Sequence, residues 1–198
     1  MAQPAIITFI KNPELGKAKT RLAATVGDER ALEIYKELLR HTRETVQQLS
    51  GVEAFLFYSK FIDETDDWSS DFFTKKLQPE GDLGTKMIAA FAEIFKTNQP
   101  VIIVGSDCAS LTSEILENAV EILKEKDFVI GPAIDGGYYL LGMNSFQPSL
   151  FKNIEWSTEQ VFPQTVAKIE GLKMNYGLLP ALSDIDFEED WEKWGWAF

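Results

Sequence analysis

Val101-Ile-Ile-Val104 is an apolar run with no polar face, and it ends in Gly105-Ser-Asp107. A strand without a polar side must be covered on both faces, which is the condition of a central strand in a parallel sheet between layers of helices. The rest of the chain fits that frame. Ala5-Ile-Ile-Thr-Phe-Ile10 is a second β-branched apolar run, and Val52 to Tyr58 reads as a third strand. Between them, Ala31, Tyr35, Leu38, Thr42, Val46 and Leu49 recur every three or four residues, which predicts a helix opened by Asp28 as N-cap and stopped by Gly51. Met87, Ala90, Phe91, Ile94 and Phe95 predict another helix after the turn Asp82-Leu-Gly84, closed by Pro100.

Further elements follow. Ile115, Ala119, Ile122 and Leu123 mark the inner face of a helix beginning near Leu111, and Phe128 to Pro132 and Tyr138 to Gly142 read as antiparallel strands joined through Ala133-Ile-Asp-Gly-Gly137. Ser157-Thr-Glu-Gln160 has the form of a capping box, Leu172 to Tyr176 reads as a last strand, and Trp191, Trp194 and Trp196 belong to a helical tail that either covers the core, the favoured reading, or forms a dimer contact. Lys11 to Leu22 is expected as a long loop, and Ser59 to Pro79 as loop with a short helix. The expected architecture is one α/β domain over residues 1–198, an open, mostly parallel sheet with helices on both faces. Ligands of such sheets bind beyond the carboxyl ends of the strands.

Composition narrows the chemistry. A formal charge of −12 opposes partners held by phosphate neutralisation along a nucleic acid or by an anionic membrane, so small molecules are the expected partners. The start of the chain lacks the pattern of a secretory signal, which suggests a cytoplasmic protein. Cys108 is the only cysteine and His41 the only histidine, so neither an internal disulfide nor a Cys/His zinc cluster can form. His41 lies within the first helical pattern and reads as a structural residue. Catalysis must therefore use carboxylates and Lys or Arg, with or without an oxygen-liganded metal.

Lys11-Asn-Pro-Glu-Leu-Gly-Lys-Ala-Lys-Thr-Arg21 sets four cations against Glu14 in an otherwise acidic chain. It is no Walker A loop, because Lys11 occupies the first glycine position and Ala18 follows Gly16-Lys17. It is either a solvated basic loop or an anion cradle built from Gly16 amides and Arg21. Asp107 at a strand end is either a metal ligand or, with Ser110, a helix cap. Cys108 beside it reads as a buried structural thiol. Asp135 either satisfies turn amides or accepts a proton from an acceptor hydroxyl. Asp186 lies in Leu182-Ser-Asp-Ile-Asp186, either an acidic helix start or a second metal ligand.

Taken in order, five blocks resemble a bacterial family of transferase-like proteins with the glycosyltransferase A fold, described as uncharacterised glycosyltransferases. They are Lys11-x-Pro-x-x-Gly16-x-x-Lys-Thr-Arg-Leu22, Gly81-Asp-Leu-Gly84, Gly105-Ser-Asp-Cys108, Gly131-Pro-x-x-Asp-Gly-Gly-Tyr-Tyr139, and Asp184-Ile-Asp186 with Glu189-Asp-Trp191. The first block is also similar to the phosphate-binding loop of guanylyltransferases acting on phospholactate and molybdopterin, which share the fold. The resemblance implies that Lys11, Gly16, Lys19 and Arg21 hold a nucleotide's phosphates, that Asp107 binds Mg²⁺ or Mn²⁺, and that Asp186 matches the distal acid completing the metal site. Asp135, Gly136 and Gly137 then face the acceptor. Two departures from the family pattern are Ala109 for proline and Phe187 for threonine, and the second sets a bulky group beside Asp186. The expected function is metal-dependent transfer from a nucleotide-activated donor, a nucleotide sugar, to a small acceptor. The alternatives are nucleotidyl transfer with release of pyrophosphate, and a non-catalytic nucleotide-binding module.

Overall fold

The computed structural model describes residues 2–198. Its strands are β1 (Ala5–Ile10), β2 (Glu53–Tyr58), β3 (Phe73–Leu77), β4 (Val101–Val104), β5 (Phe128–Pro132), β6 (Tyr138–Met143) and β7 (Tyr176–Leu178). Its helices are α1 (Thr20–Val26), α2 (Asp28–Gln47), α3 (Leu83–Ile94), α4 (Ser113–Ile122), α5 (Val161–Gly171) and α6 (Glu188–Trp194), with a 3₁₀ turn at Pro148–Phe151. All the strands join one sheet in the order β3-β2-β1-β4-β6-β5-β7. β6 pairs antiparallel with both β4 and β5, while the other pairings are parallel, so β6 alone runs against the sheet.

The apolar run of β4 is wholly buried at the centre, as its lack of a polar side requires. One face of the sheet offers Ile6, Leu56, Ile102 and Val129 to Tyr35, Leu39 and Val46 of α2 and to Leu116 and Ala119 of α4. The other offers Ile7, Phe55, Phe57, Ile103 and Leu141 to Met87, Phe91 and Ile94 of α3 and Ile169 of α5. A third cluster joins Leu22, Ile34, Leu38 and Ile185, with Trp191 and Trp196 packed on it. Trp191 and Trp196, the latter beyond the end of α6, thus cover the molecule's own core, while Trp194 stays 37% exposed.

Several local expectations are corrected. The loop after β1 ends at Lys19, because Thr20–Val26 coil into α1. Asp28 is the first residue of α2, and Gly27 stands at the cap without a side-chain bond. The Ser59 to Pro79 stretch contains β3 and no helix; Lys75, its side chain only 5% exposed, is drawn into the sheet edge by an ion pair with Asp66 at 2.8 Å. In α4 the buried face is Leu116 and Ala119, with Ile115 and Ile122 only partly covered. Ser157 to Gln160 form no capping box: Thr158 Oγ1 accepts from Gln160 N at 3.2 Å inside a turn, and Gln160 caps α5 without a side-chain bond. The last strand is Tyr176–Leu178 rather than 172–176, since Leu172 and Lys173 bond back to α5.

Candidate functional site

The carboxyl ends of β1, β4 and β5 open on one edge of the sheet, and the turn into β6 reaches the same edge because β6 runs the other way. Four segments meet there: Lys11–Lys19, Gly105–Cys108, Ala133–Gly137 and the stretch from Leu179 to Phe187. Backbone bonds tie them together. Ile185 N donates to Asp107 O at 2.9 Å, Ile134 N to Leu182 O at 2.9 Å, and Gly105 N to Tyr139 O at 2.9 Å. The Tyr139 hydroxyl adds a bond to Pro180 O at 3.0 Å.

Lys19 lies at the centre of this edge. It sits at the cap of α1 in a left-handed conformation, φ 51°, a backbone state that a lysine adopts at a cost. That geometry turns a side chain only 5% exposed inward, with Nζ 2.9 Å from Asp107 Oδ1 and 3.5 Å from Asp186 Oδ1. Burial alone would depress its pKa, but the two carboxylates outweigh burial and hold the ammonium above its ordinary range. Arg21, from the exposed side, reaches Asp186 Oδ2 at 3.0 Å.

Asp184 takes a different partner. Cys108 Sγ donates to its Oδ1 at 2.8 Å. Burial, with the nearby charge of Asp107, pushes the Asp184 carboxyl up to about 6 against the opposing help of Cys108 and Lys19. The buried thiol is itself raised well above its ordinary value by burial and by Asp184. Cys108 is thus a structural hydrogen-bond donor, as its sequence context suggests, and of the two C-terminal acids it is Asp186 that shares a cation with Asp107.

Asp107 caps no helix, because Thr112 caps α4 by accepting from Ile115 N. His41 lies away from the edge, its Nε2 2.7 Å from Leu111 O and its ring packed on Trp196. Phe187 does not crowd Asp186: it is 49% exposed, and Asp190 Oδ2 accepts from the N–H groups of both residues, at 3.0 Å from Asp186 and 2.8 Å from Phe187. Ala109 is buried beside Leu22 and Ile185. Asp135 Oδ1 accepts from Gly137 N at 2.9 Å, so one oxygen does serve its own turn. Gly136 has φ 90°, and a Cβ there would lie 2.5 Å from Glu159 Cα and O, which only glycine avoids. Lys11 is exposed and Gly16 turns the basic loop at φ 69°; among the described residues neither side of that loop's outer bend pairs with the aspartates. Gly84 of the second block is explained by packing, since the Trp156 indole occupies the place of a Cβ at 2.6 Å.

Two residues of the edge escape sequence reasoning. The Tyr35 hydroxyl accepts from Lys11 N at 2.9 Å and donates to Lys11 O at 3.0 Å, so a helix on one face fixes the start of the basic loop. Asn12, 3% exposed, accepts from Lys60 N at 2.9 Å and donates to Phe61 O at 2.9 Å, pinning the loop after β1 to the loop after β2. The available signals were a hydroxyl among aliphatic neighbours in the α2 stripe and a lone amide at a strand end, each of which must find a partner once buried. Asn12→Ala strands these backbone groups and is expected to cost about 1–3 kcal/mol in urea unfolding.

The edge carries two carboxylates of the kind a divalent cation takes. Hard cations take one or two carboxylates and complete their shell from substrate phosphates and water. Asp107 and Asp186 already converge on one positive group, Lys19 Nζ, at 2.9 and 3.5 Å, so they are the carboxylates that could hold a cation here. Among the described residues no three His, Cys, Asp or Glu side chains are grouped so as to hold a metal ion by themselves.

Solved structures share this architecture. A protein of Desulfovibrio desulfuricans G20, provisionally named a nucleotide-diphospho-sugar transferase, is 30% identical over 94% of this chain and 84% of its own, with a TM-score of 0.86. The inositol-1-phosphate CTP transferase of T. maritima matches 96% of this chain and 92% of its own at 13% identity and a TM-score of 0.62. Rv0371c of Mycobacterium tuberculosis H37Rv, in complex with manganese, matches 97% of each chain at 11% identity and a TM-score of 0.58. The latter two are likenesses of fold. No curated protein matches the chain. The fold is that of the nucleotide-diphospho-sugar transferases, as the five sequence blocks suggest. The chain belongs to the family described as "Uncharacterized protein conserved in bacteria (DUF2064)", which matches residues 42–158. Asp107 and Asp135 fall inside that match, and Lys19 and Asp186 outside it.

Proposed function

We propose that this protein is a metal-dependent transferase that moves a sugar from a nucleotide-sugar donor to the hydroxyl of a small acceptor. The observation that carries the reading is the convergence of Asp107, Asp186, Lys19 and Arg21 at the carboxyl edge of the sheet, an arrangement of both charge signs suited to a metal–diphosphate. Lys11, the Gly16 amide, Lys19 and Arg21 bind the donor phosphates, and Asp107 with Asp186 hold Mg²⁺ or Mn²⁺. When bound, the metal supplies Lewis-acid neutralisation of the diphosphate. Asp135 uses Oδ2, its other oxygen being held by Gly137, to orient the acceptor hydroxyl, and the Gly136 and Gly137 backbone lines the acceptor side. The acceptor oxygen forms a bond to the sugar C1 as the C1–phosphate oxygen bond breaks. Asp135 takes the hydroxyl proton, and Arg21 and Lys19 stabilise the charge on the departing nucleoside diphosphate.

A second reading is favoured by the fold shared with the inositol-1-phosphate CTP transferase. There an acceptor phosphate would attack the α-phosphate of a nucleoside triphosphate and release pyrophosphate. The products separate the two. Incubation with a panel of nucleotide sugars and nucleoside triphosphates, each with Mn²⁺ or EDTA, is expected to release nucleoside diphosphate from a nucleotide sugar; pyrophosphate would establish the second reading. Stabilisation by nucleotides that survives EDTA, with no product, would leave only a binding module.

A further inference from the structure

The ammonium of Lys19 contacts both carboxylates to which the proposed function assigns a divalent cation. It is within 2.9 Å of Asp107 Oδ1 and 3.5 Å of Asp186 Oδ1, so the two carboxylates already share one positive charge. The exposures show from which side it comes: the Lys19 side chain is 5% exposed, those of Asp107 and Asp186 44% and 36%. The carboxylates therefore open to solvent, and the lysine closes them from within. Arg21 takes the second oxygen of Asp186 from outside, which leaves Asp107 Oδ2 as the oxygen outside these ion pairs. A metal entering alone must coordinate carboxylates that are in contact with a buried ammonium, and like charges brought that close repel. A metal entering with a phosphate meets a different balance, because the phosphate oxygens give the ammonium a new partner. Lysine's long unbranched stem lets Nζ change partner without movement of the backbone.

We propose that Lys19 is the resident counter-ion of the metal site: it closes the Asp107–Asp186 pair against free divalent cations and passes to the donor's phosphates when metal and nucleotide enter together. The inference rests on the reading that Asp107 and Asp186 hold the metal. It makes metal and phosphate binding reciprocally favourable, each removing an obstacle to the other. It also accounts for a lysine in a left-handed backbone at the cap of α1, a position chosen by where its side chain must reach rather than by helix chemistry.

The test is direct titration of Mn²⁺, its free concentration counted by electron paramagnetic resonance, into the wild-type chain and the Lys19→Met and Asp107→Asn variants without nucleotide. The expected result is weak binding by wild type, binding by Lys19→Met at least about tenfold tighter, and loss of that gain in the Lys19→Met/Asp107→Asn double variant. Thermal unfolding provides an independent readout: Lys19→Met leaves the aspartates uncompensated, so it should melt below wild type in EDTA and regain more from Mn²⁺ than wild type does. If Lys19→Met does not fold, Lys19→Gln removes the charge and keeps a polar end. Binding of Mn²⁺ by both Lys19 variants no tighter than by wild type, with Asp107→Asn still abolishing it, would overturn the counter-ion role and leave the metal site standing. No binding by any form at millimolar Mn²⁺ would overturn the metal reading and this inference with it.

Discussion

Asp107→Asn is expected to lower turnover by roughly 10²–10³ or more, the scale of losing one preorganised electrostatic contact in an active site. The substitution keeps the shape of the side chain and removes its charge. Lys19 then retains Asp186 alone, and a metal loses the ligand that has an oxygen to spare. The fold should survive, because the structural bond at this position runs from Ile185 N to the Asp107 backbone carbonyl and the side chain is 44% exposed. Product formation and melting temperature measured on the same preparation separate the two effects. Full turnover by Asp107→Asn in the presence of metal would sink the assignment of this residue.

Gly136→Ala should damage stability and activity together. A Cβ on Gly136 would stand 2.5 Å from Glu159 Cα and O, which are backbone atoms that no rotamer change can move, and φ 90° is strained for alanine. The turn is clamped there from both sides, since Gly136 N donates to Ala133 O at 3.1 Å and Phe162 N to Gly136 O at 2.9 Å. Strain and overpacking together are expected to cost about 2–4 kcal/mol. In a domain of this size each kcal/mol lowers the melting temperature by about 2–4 °C. The displaced turn carries Asp135, so KM for the acceptor should rise by more than KM for the donor. Gly171→Ala is the matched control: a Cβ there meets nothing within 4 Å, and its effect should stay within about 0.5 kcal/mol. An unchanged melting curve for Gly136→Ala would mean that the turn is not held against Glu159.

The elements legible in the sequence are those whose reason is local. β1 and β4 are continuous apolar runs, and the stripes of α2 and α3 repeat at helical spacing, so burial and periodicity alone specify them. β3 was not legible, because Phe73-Thr-Lys-Lys-Leu77 has no apolar alternation; its lysines are accommodated by Asp66 and by Glu93 of α3, partners supplied by the tertiary structure. The residue types of Ser157 to Gln160 match a capping box, yet Ser157 takes a left-handed φ of 64° and the hydroxyl that bonds is that of Thr158, inside a turn.

The candidate site divides in the same way. A basic loop after the first strand, an aspartate at the end of a buried strand and a distal acid pair are each readable as residue types in place, and the sequence alone, with one histidine and one cysteine in the whole chain, points the proposed chemistry to carboxylates and cations. Which charge meets which was decided only by the fold. Lys19 and Asp186 lie 167 residues apart and touch because β1, β4 and the segment after β7 end on one edge of the sheet. Their pairing, the diversion of Asp184 to Cys108, and the hold of Tyr35 and Asn12 on the basic loop are set by burial: each polar group removed from water had to take a partner from whatever element the sheet order placed beside it.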